Sequence, residues 1–295
     1  MPKAKSNTTK SRLNIRKTYK IYIGGKFPRT ESGRYYKLKS ADGDLLGNIC
    51  LSSRKDFRNA VGAARGAFKG WSGKSAFNRA QIIYRLGEML EGRSAQFKEE
   101  LVIQGATPKQ AQAEVAATID RLIYYAGWAD KYQQVFSSVN PVASSHFNFT
   151  ILEPMGVVAI LAPEKSSLLG LVSVIAVTIA GGNTCVVLAA ESAPLSAVTF
   201  SEVIQSSDVP GGVVNILTGR RKELLGQFTM HMDVNAIVYS DNDTKTISKI
   251  KRDSTSNVKR AIIYKGMDWS SAAAESPYLI SDVQEAKTIW HPIGK

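Results

Sequence analysis

Five short apolar runs recur through the second half of the chain: Val157–Leu161, Cys185–Leu188, Val213–Leu217, Ala236–Tyr239 and Arg260–Tyr264. Between them lie segments of helical length, at 168–180, 196–206, 221–230 and 244–253. A continuous apolar run this short reads as a strand buried on both faces, and strands separated by helices are parallel. Four consecutive strand–helix–strand units therefore predict an α/β fold with a doubly wound, mostly parallel, Rossmann-like sheet. The segment 244–253 has few apolar positions and is the least convincing amphipathic helix of the set.

Upstream of Pro141 the period changes. Tyr-Lys-Ile-Tyr-Ile-Gly-Gly from residue 19 alternates and then turns at Gly24-Gly25, as a strand and turn would. Residues 54–70 and 76–101 carry helical periodicity, with Ile82, Ile83, Leu86, Met89 and Leu90 on one face. Thr107-Pro108-Lys109-Gln110 has a Thr cap, Pro at the first helical position and Gln where a capping box requires it. The helix that follows is expected to bury Val115, Ile119, Leu122, Ile123 and Ala126 and to run to about Phe136. An N-terminal helical portion thus precedes the sheet.

With 44% apolar and 21% charged residues, the composition is that of a globular chain able to bury a core. The longest apolar candidate, Leu168 to Ile179, is interrupted by Gly170, Ser173 and Thr178 and is too short to span a membrane, so no membrane role is expected. Cys50 and Cys185 both fall in expected strands and read as buried small hydrophobes of a reducing cytoplasm. His146, His231 and His291 lack metal-ligand spacing, and no metal site is assigned. The formal charge of +13 is concentrated at the start, where residues 1–20 hold seven Lys and Arg and no acid. That arm reads as a solvated, disordered tail. Its one aromatic residue, Tyr19, stands at its end, so none is interleaved along it for stacking on bases, and no nucleic-acid partner is expected.

Several segments carry more specific information. From Glu153 the chain reads Glu-Pro-Met-Gly-Val-Val-Ala-Ile-Leu-Ala-Pro, followed by Gly181-Gly-Asn-Thr184 and Glu191-Ser-Ala-Pro-Leu-Ser-Ala197. Val213-Val-Asn-Ile-Leu-Thr-Gly219 and His231-Met-Asp-Val234 come next. In this order and spacing the chain, over about residues 20–267, resembles the cofactor domain of the aldehyde dehydrogenase superfamily. The resemblance implies an NAD- or NADP-binding fold, oligomeric in its family, whose catalytic cysteine would lie beyond position 290, in a domain that this chain lacks.

The positions that perform chemistry in that family hold other residues here. After the first strand the family's oxyanion-donating Asn corresponds to Lys165, with Glu164 in place of its Trp. A pre-aimed donor of that kind contributes about 3–4 kcal/mol to acyl transfer. After the second strand Glu191 matches a ribose-binding Glu, but the companion Lys has become Leu188. Losing one charge-assisted hydrogen bond forfeits about 1.5–3 kcal/mol. Glu191 also suits the start of the next helix, where an acid is favoured. After the third strand Gly219 remains of a glycine-rich loop and is followed by Arg220, Arg221 and Lys222, which could attract a phosphate or could form a solvated helix start. After the fourth, Asp241-Asn242-Asp243 replaces a glycine-containing turn and reads as a helix cap. After the fifth, Tyr264 stands where the family has its general base.

These correspondences leave no catalytic residue, with Glu191 and Gly219 as residual cofactor-binding positions. No cofactor is expected, and NAD or NADP would bind only weakly. The expected divisions are a basic tail at 1–20, a helical part at 21–140, the strand–helix–strand part at 141–267, and a docking segment at 268–295 that presses Trp290 onto the body or a partner. The leading functional expectation is a non-catalytic, cytoplasmic, aldehyde-dehydrogenase-like subunit that associates with a full-length aldehyde dehydrogenase or with itself. Two alternatives stay open. One is half of a split oxidoreductase acting on aldehydes with NAD or NADP, its cysteine supplied by a second chain. The other is a binding module that uses the basic tail.

Overall fold

The computed structural model describes residues 17–40 and 42–294. The chain begins with strands β1 (Thr18–Tyr19), β2 (Tyr35–Lys39) and β3 (Leu45–Cys50), then helices α1 (Arg54–Ser72), α2 (Ala76–Gly92), α3 (Ser94–Ile103), α4 (Pro108–Trp128) and α5 (Tyr132–Phe136). Strands β4 (Ser138–Asn140) and β5 (His146–Pro154) follow. The alternating part comprises β6 (Val157–Leu161), α6 (Leu169–Ala180), β7 (Thr184–Leu188), α7 (Leu195–Gln205), β8 (Val214–Leu217), α8 (Arg221–Met230), β9 (Ala236–Tyr239), α9 (Thr244–Ser254) and β10 (Arg260–Ile263). A short α10 (Tyr278–Asp282) leads into β11 (Gln284–Pro292).

The central sheet is wholly parallel, in the order β10-β9-β6-β7-β8. From β6 the chain winds outward through β7 to β8, then returns across α8 to lay β9 on the other side of β6. The direction of winding reverses between β6 and β9, and in open parallel sheets ligands bind in the crevice beyond the strand ends at such a reversal. Alternate residues of each strand feed two cores. Val158, Ile160, Cys185, Val187 and Val238 join α2, α4, α6 and α7, while Val157, Leu161, Val186, Ile237 and Tyr239 join α1, α8 and α9. The sheet is therefore doubly wound, as expected.

The strands and crossover helices lie within a residue or two of their expected positions. Even α9 forms, because Ile247, Ile250 and Ser254 recur at helical spacing and Asp243 caps it by accepting from the Lys245 and Thr246 amides. The Thr107–Gln110 capping box is complete in both directions.

Four expectations need correction. The helix expected over 76–101 breaks at Arg93, next to Gly92, whose low helix propensity makes a break inexpensive. α4 stops at Trp128, one residue past Gly127, and Tyr132–Phe136 is a separate short helix. Ile123 is exposed, and the inward places on α4 go to Arg121 and Tyr125. The tail boundary at residue 20 is too late, since Thr18 and Tyr19 pair in parallel with β3; residues 1–16 of that tail lie outside the described residues.

A three-stranded antiparallel sheet, β11-β5-β4, stands apart from the central one. The expected division at 140/141 runs through it, between β4 and β5. β11 pairs with β5 over its whole length, from Gln284 opposite Pro154 to Pro292 opposite His146. One face of this sheet buries Asn148, Leu152 and Gln284, and the other is more open to solvent. Val139, Phe149, Phe147, Ile151 and Ile289 share one face by register, with Val139 68% and Phe147 46% exposed.

Candidate functional site

The crevice at the winding reversal is bounded by the residues that follow each parallel strand. Pro163–Ser167 follow β6, Ala190–Ser192 follow β7, Thr218–Arg221 follow β8, Asp241–Asp243 follow β9 and Tyr264 follows β10. The strands are short and parallel, with β6, β7, β8 and β9 buried along their length, so the chain emerges at one end of the sheet and these loops converge there.

The convergence is filled by the chain's own charges. Arg221, the first residue of α8, donates Nη1 to Asp241 Oδ2 at 2.6 Å and Nη2 to the Ala162 carbonyl at 2.6 Å. Its Nη2 also lies 3.2 Å from Glu164 Oε1. The Glu164 amide donates to Asp241 Oδ1 at 3.2 Å. The Glu164 carboxylate accepts from the Glu191 amide, the Ser192 amide and the Ser192 hydroxyl at 3.0, 3.2 and 2.8 Å. One guanidinium thus joins the loops after β6 and β9 across the reversal, and one carboxylate ties in the loop after β7. The three side chains are only 17–31% exposed, so water screens them weakly. The Arg221 guanidinium also lies 5.6 Å from the centre of the Tyr239 ring.

Glu191 belongs to the adjoining pair. It accepts from the Arg220 guanidinium and from the Arg221 amide at 3.1 Å. The expectation that it serves the start of its own following helix is incorrect: its carboxylate sits at the first turn of α8. Arg220 stacks 4.9 Å over the ring of Tyr36, whose hydroxyl donates to the Glu191 carbonyl at 3.2 Å. Burial, reinforced by Glu191, raises the pKa of the Tyr36 hydroxyl. The basic triplet is therefore divided: Arg220 and Arg221 are bound to carboxylates, and only Lys222 is left to solvent. A Cβ at Gly219 would come within 3.3 Å of both the Ser52 amide nitrogen and Leu224 Cδ1, so its missing side chain accommodates the protein's own packing.

Of the Asp241-Asn242-Asp243 cap, only Asp243 caps α9; Asp241 turns inward to Arg221. Lys165 is exposed on the loop after β6. Tyr264 points away from the crevice and donates to Asp282 Oδ2 at 3.0 Å. Burial raises its pKa well above the usual phenol value, and Asp282 adds to the effect.

Residues that the sequence reading passed over seal this side. Trp269, 3% exposed, meets Tyr264 edge to face at 5.9 Å and lies against Gly170, where a Cβ would fall 2.9 Å from its Cδ1. Arg121 of α4 holds the same segment, donating to the carbonyls of Trp269 at 3.0 Å and Ala274 at 2.6 Å. The Tyr125 hydroxyl adds a bond to the Ser276 carbonyl at 3.2 Å. A tryptophan in an otherwise Ser/Ala-rich stretch was the available signal. Trp290, by contrast, stays 57% exposed, edge-on to His146 at 5.7 Å; β11 docks through its backbone.

Neither thiol is placed for chemistry. Cys185 is fully buried inside β7 and Cys50 is 3% exposed at the end of β3. Burial raises the pKa of both, opposing the thiolate that a nucleophile requires. No helix among the described residues is long and apolar enough to cross a membrane.

Comparison with known proteins accords with this architecture. Mouse cytosolic 10-formyltetrahydrofolate dehydrogenase is 30% identical over 265 residues, covering 86% of this chain and 29% of its own. A putative aldehyde dehydrogenase of Bacillus subtilis (strain 168), DhaS, is 30% identical over 254 residues, 84% of this chain and 50% of its own. Among solved structures, an NAD+ complex of an aldehyde dehydrogenase from Bacillus cereus superposes with a TM-score of 0.80 at 27% identity, covering 85% of this chain and 51% of that one. The chain thus spans between 29% and 51% of the length of these relatives. The aldehyde dehydrogenase family model matches residues 27–267, and with the parallel sheet and its five converging loops in place, the chain belongs to the aldehyde dehydrogenase family.

Proposed function

We propose that this chain is a non-catalytic, aldehyde-dehydrogenase-like subunit that associates with a full-length aldehyde dehydrogenase. The observation that carries the reading is the crevice at the winding reversal, closed by Arg221, Asp241 and Glu164. A dinucleotide entering there would meet two carboxylates beside its pyrophosphate, and would have to displace a largely desolvated ion pair. Breaking such a pair by taking one partner away costs about 3–5 kcal/mol. That loss is a weakening of roughly 10²–10³-fold or more. Glu191 is already engaged by Arg220 and the α8 amide, and Gly219 is packed against Ser52 and Leu224. These residues do not suit a bound NAD or NADP. Lys165 and Tyr264 supply neither a pre-aimed oxyanion donor nor a general base, and both cysteines are buried.

One face of the β11-β5-β4 sheet supports the partner half of the reading, since Val139, Phe147, Phe149, Ile151 and Ile289 gather there beside Glu153, Glu285 and Lys287, and apolar residues rimmed by polar ones mark association sites. Two buried, unpaired cysteines suit a reducing cytoplasm. Titration calorimetry with NAD and NADP is expected to give a Kd above about 1 mM, a regime of −4 kcal/mol or weaker. Native mass spectrometry of the tagged chain from its own host is expected to show a stoichiometric full-length aldehyde dehydrogenase. Submillimolar binding of either dinucleotide, or a chain recovered alone with nucleotide bound, would overturn the reading.

A further inference from the structure

A second recess lies at the far end of α8 from the crevice, where the start of α1 meets the end of α8. It is lined by Arg54, Gly226, Gln227, Met230 and His231, with no acid among them. Among the described residues, the side chains of Arg54 and Gln227 make no hydrogen bond or ion pair within the protein. Gly226 leaves space, since a Cβ there would meet nothing within 4 Å.

His231 is held rigidly. Its Nδ1 accepts from the Asp233 amide at 3.2 Å, its ring stands edge-on to Phe57 at 5.6 Å, and its carbonyl accepts from Lys259 Nζ at 3.1 Å. With Nδ1 an acceptor, the ring proton resides on Nε2, which is therefore the free donor. The carbonyls at the end of α8 would ordinarily repel an anion. Lys259 neutralises them: its buried ammonium also bonds the carbonyls of Phe228 and Thr229 at 3.3 and 2.8 Å.

We infer that this recess binds a phosphate group, free or as a small monoester, between the Arg54 guanidinium, His231 Nε2 and the Gln227 amide. A carboxylate would be satisfied by the guanidinium fork alone, whereas a tetrahedral oxyanion presents acceptors to three donors arriving from separate elements. Met230, 57% exposed, forms the apolar wall against which an ester's carbon chain would rest.

Protonation of His231 adds positive charge at the site at the expense of the bond that Nδ1 accepts from the Asp233 amide. The charged groups around its ring are Arg54 on α1, Lys259 before β10, and Asp233, which is itself paired with Arg65 at 2.8 Å. Burial lowers the pKa of His231; Asp233 opposes this shift, and Lys259 and Arg54 reinforce it. A bound phosphate adds negative charge beside the ring and raises that pKa.

The chain has three histidines, so imidazole NMR resonances of the full chain can be followed individually. Inorganic phosphate is expected to raise the His231 midpoint by about one unit, the size of shift that a neighbouring opposite charge produces. His146 and His291 stay unmoved. The shift disappears in Arg54→Met, and in Gly226→Leu, which fills the recess while improving helix propensity. Glycerol phosphate distinguishes the sources: a larger shift at equal concentration identifies an ester, an equal shift the free ion. A His231 midpoint indifferent to phosphate, moving in step with the other two histidines, or still moving in both variants, would overturn the assignment.

Discussion

Replacing Arg221 with methionine isolates the closure of the crevice. Methionine keeps the apolar stem that packs near Tyr239 and removes the guanidinium. Two short charge-assisted bonds go, to Asp241 and to the Ala162 carbonyl, together with the ion pair to Glu164. Glu164 retains three donors from Glu191 and Ser192, so the damage centres on Asp241, left with the Glu164 amide alone. Removing one member of a buried pair costs about 3–5 kcal/mol. With Asp241 20% and Glu164 31% exposed, the lower end applies, about 3 kcal/mol. For a chain of this size that is a fall in Tm of roughly 6–12 °C. Urea unfolding followed by circular dichroism reads the loss directly. The double variant Arg221→Met/Asp241→Leu, which removes both charges, is expected to recover at least half of it. A loss under about 1 kcal/mol in the single variant, or no recovery in the double, refutes the view that this network holds the strand ends together.

Trp269→Ala is expected to cost about 3–5 kcal/mol, because the ring fills the space over Gly170 and its buried Nε1 has no partner to lose; a smaller change in urea stability would show that the segment is not anchored there. Lys259 has its pKa lowered by burial to about 8, an effect that Asp253 partly offsets. Between pH 8 and 10.5 the unfolded chain therefore binds this proton and the folded chain does not. Stability of the native protein should rise with pH in that window relative to Lys259→Met, by up to about 1.4 kcal/mol per pH unit; parallel curves over pH 8–9.5 would exclude it. Gly62→Ala and Gly66→Ala, where an added Cβ meets open space on α1, should each raise stability by about 0.5–1 kcal/mol in thermal unfolding.

The parallel sheet was legible in the sequence because four of its strands, β6 to β9, are buried on both faces, which leaves short, mostly apolar runs. Helix ends were less legible. The expected helices end at Gly92 and at Trp128, close to a glycine in each case, and periodicity is insensitive to so local an interruption. At the crevice, the residues after each strand were located correctly, but their partners were not. Asp241 reads locally as a cap beside Asp243, and only the return of β9 to the side of β6 brings it to Arg221. Arg121 went unremarked in the sequence; two buried carbonyls of the 269–274 segment, about 150 positions later, explain its place on the inward face of α4. Contacts set by topology across such separations leave no local pattern.

The pairing of β5 with β11 has a consequence for synthesis. The Thr150 and Thr288 hydroxyls, 2.9 Å apart, are separated by 138 positions in the chain. At roughly 5–20 residues per second, a ribosome would deliver β11 on the order of ten seconds after β5 has been made. During that interval the nascent chain displays Phe147, Phe149 and Ile151 on a strand lacking its longest neighbour. That is the kind of edge on which nascent chains in a polysome, or a chaperone that reads extended apolar segments, would act first.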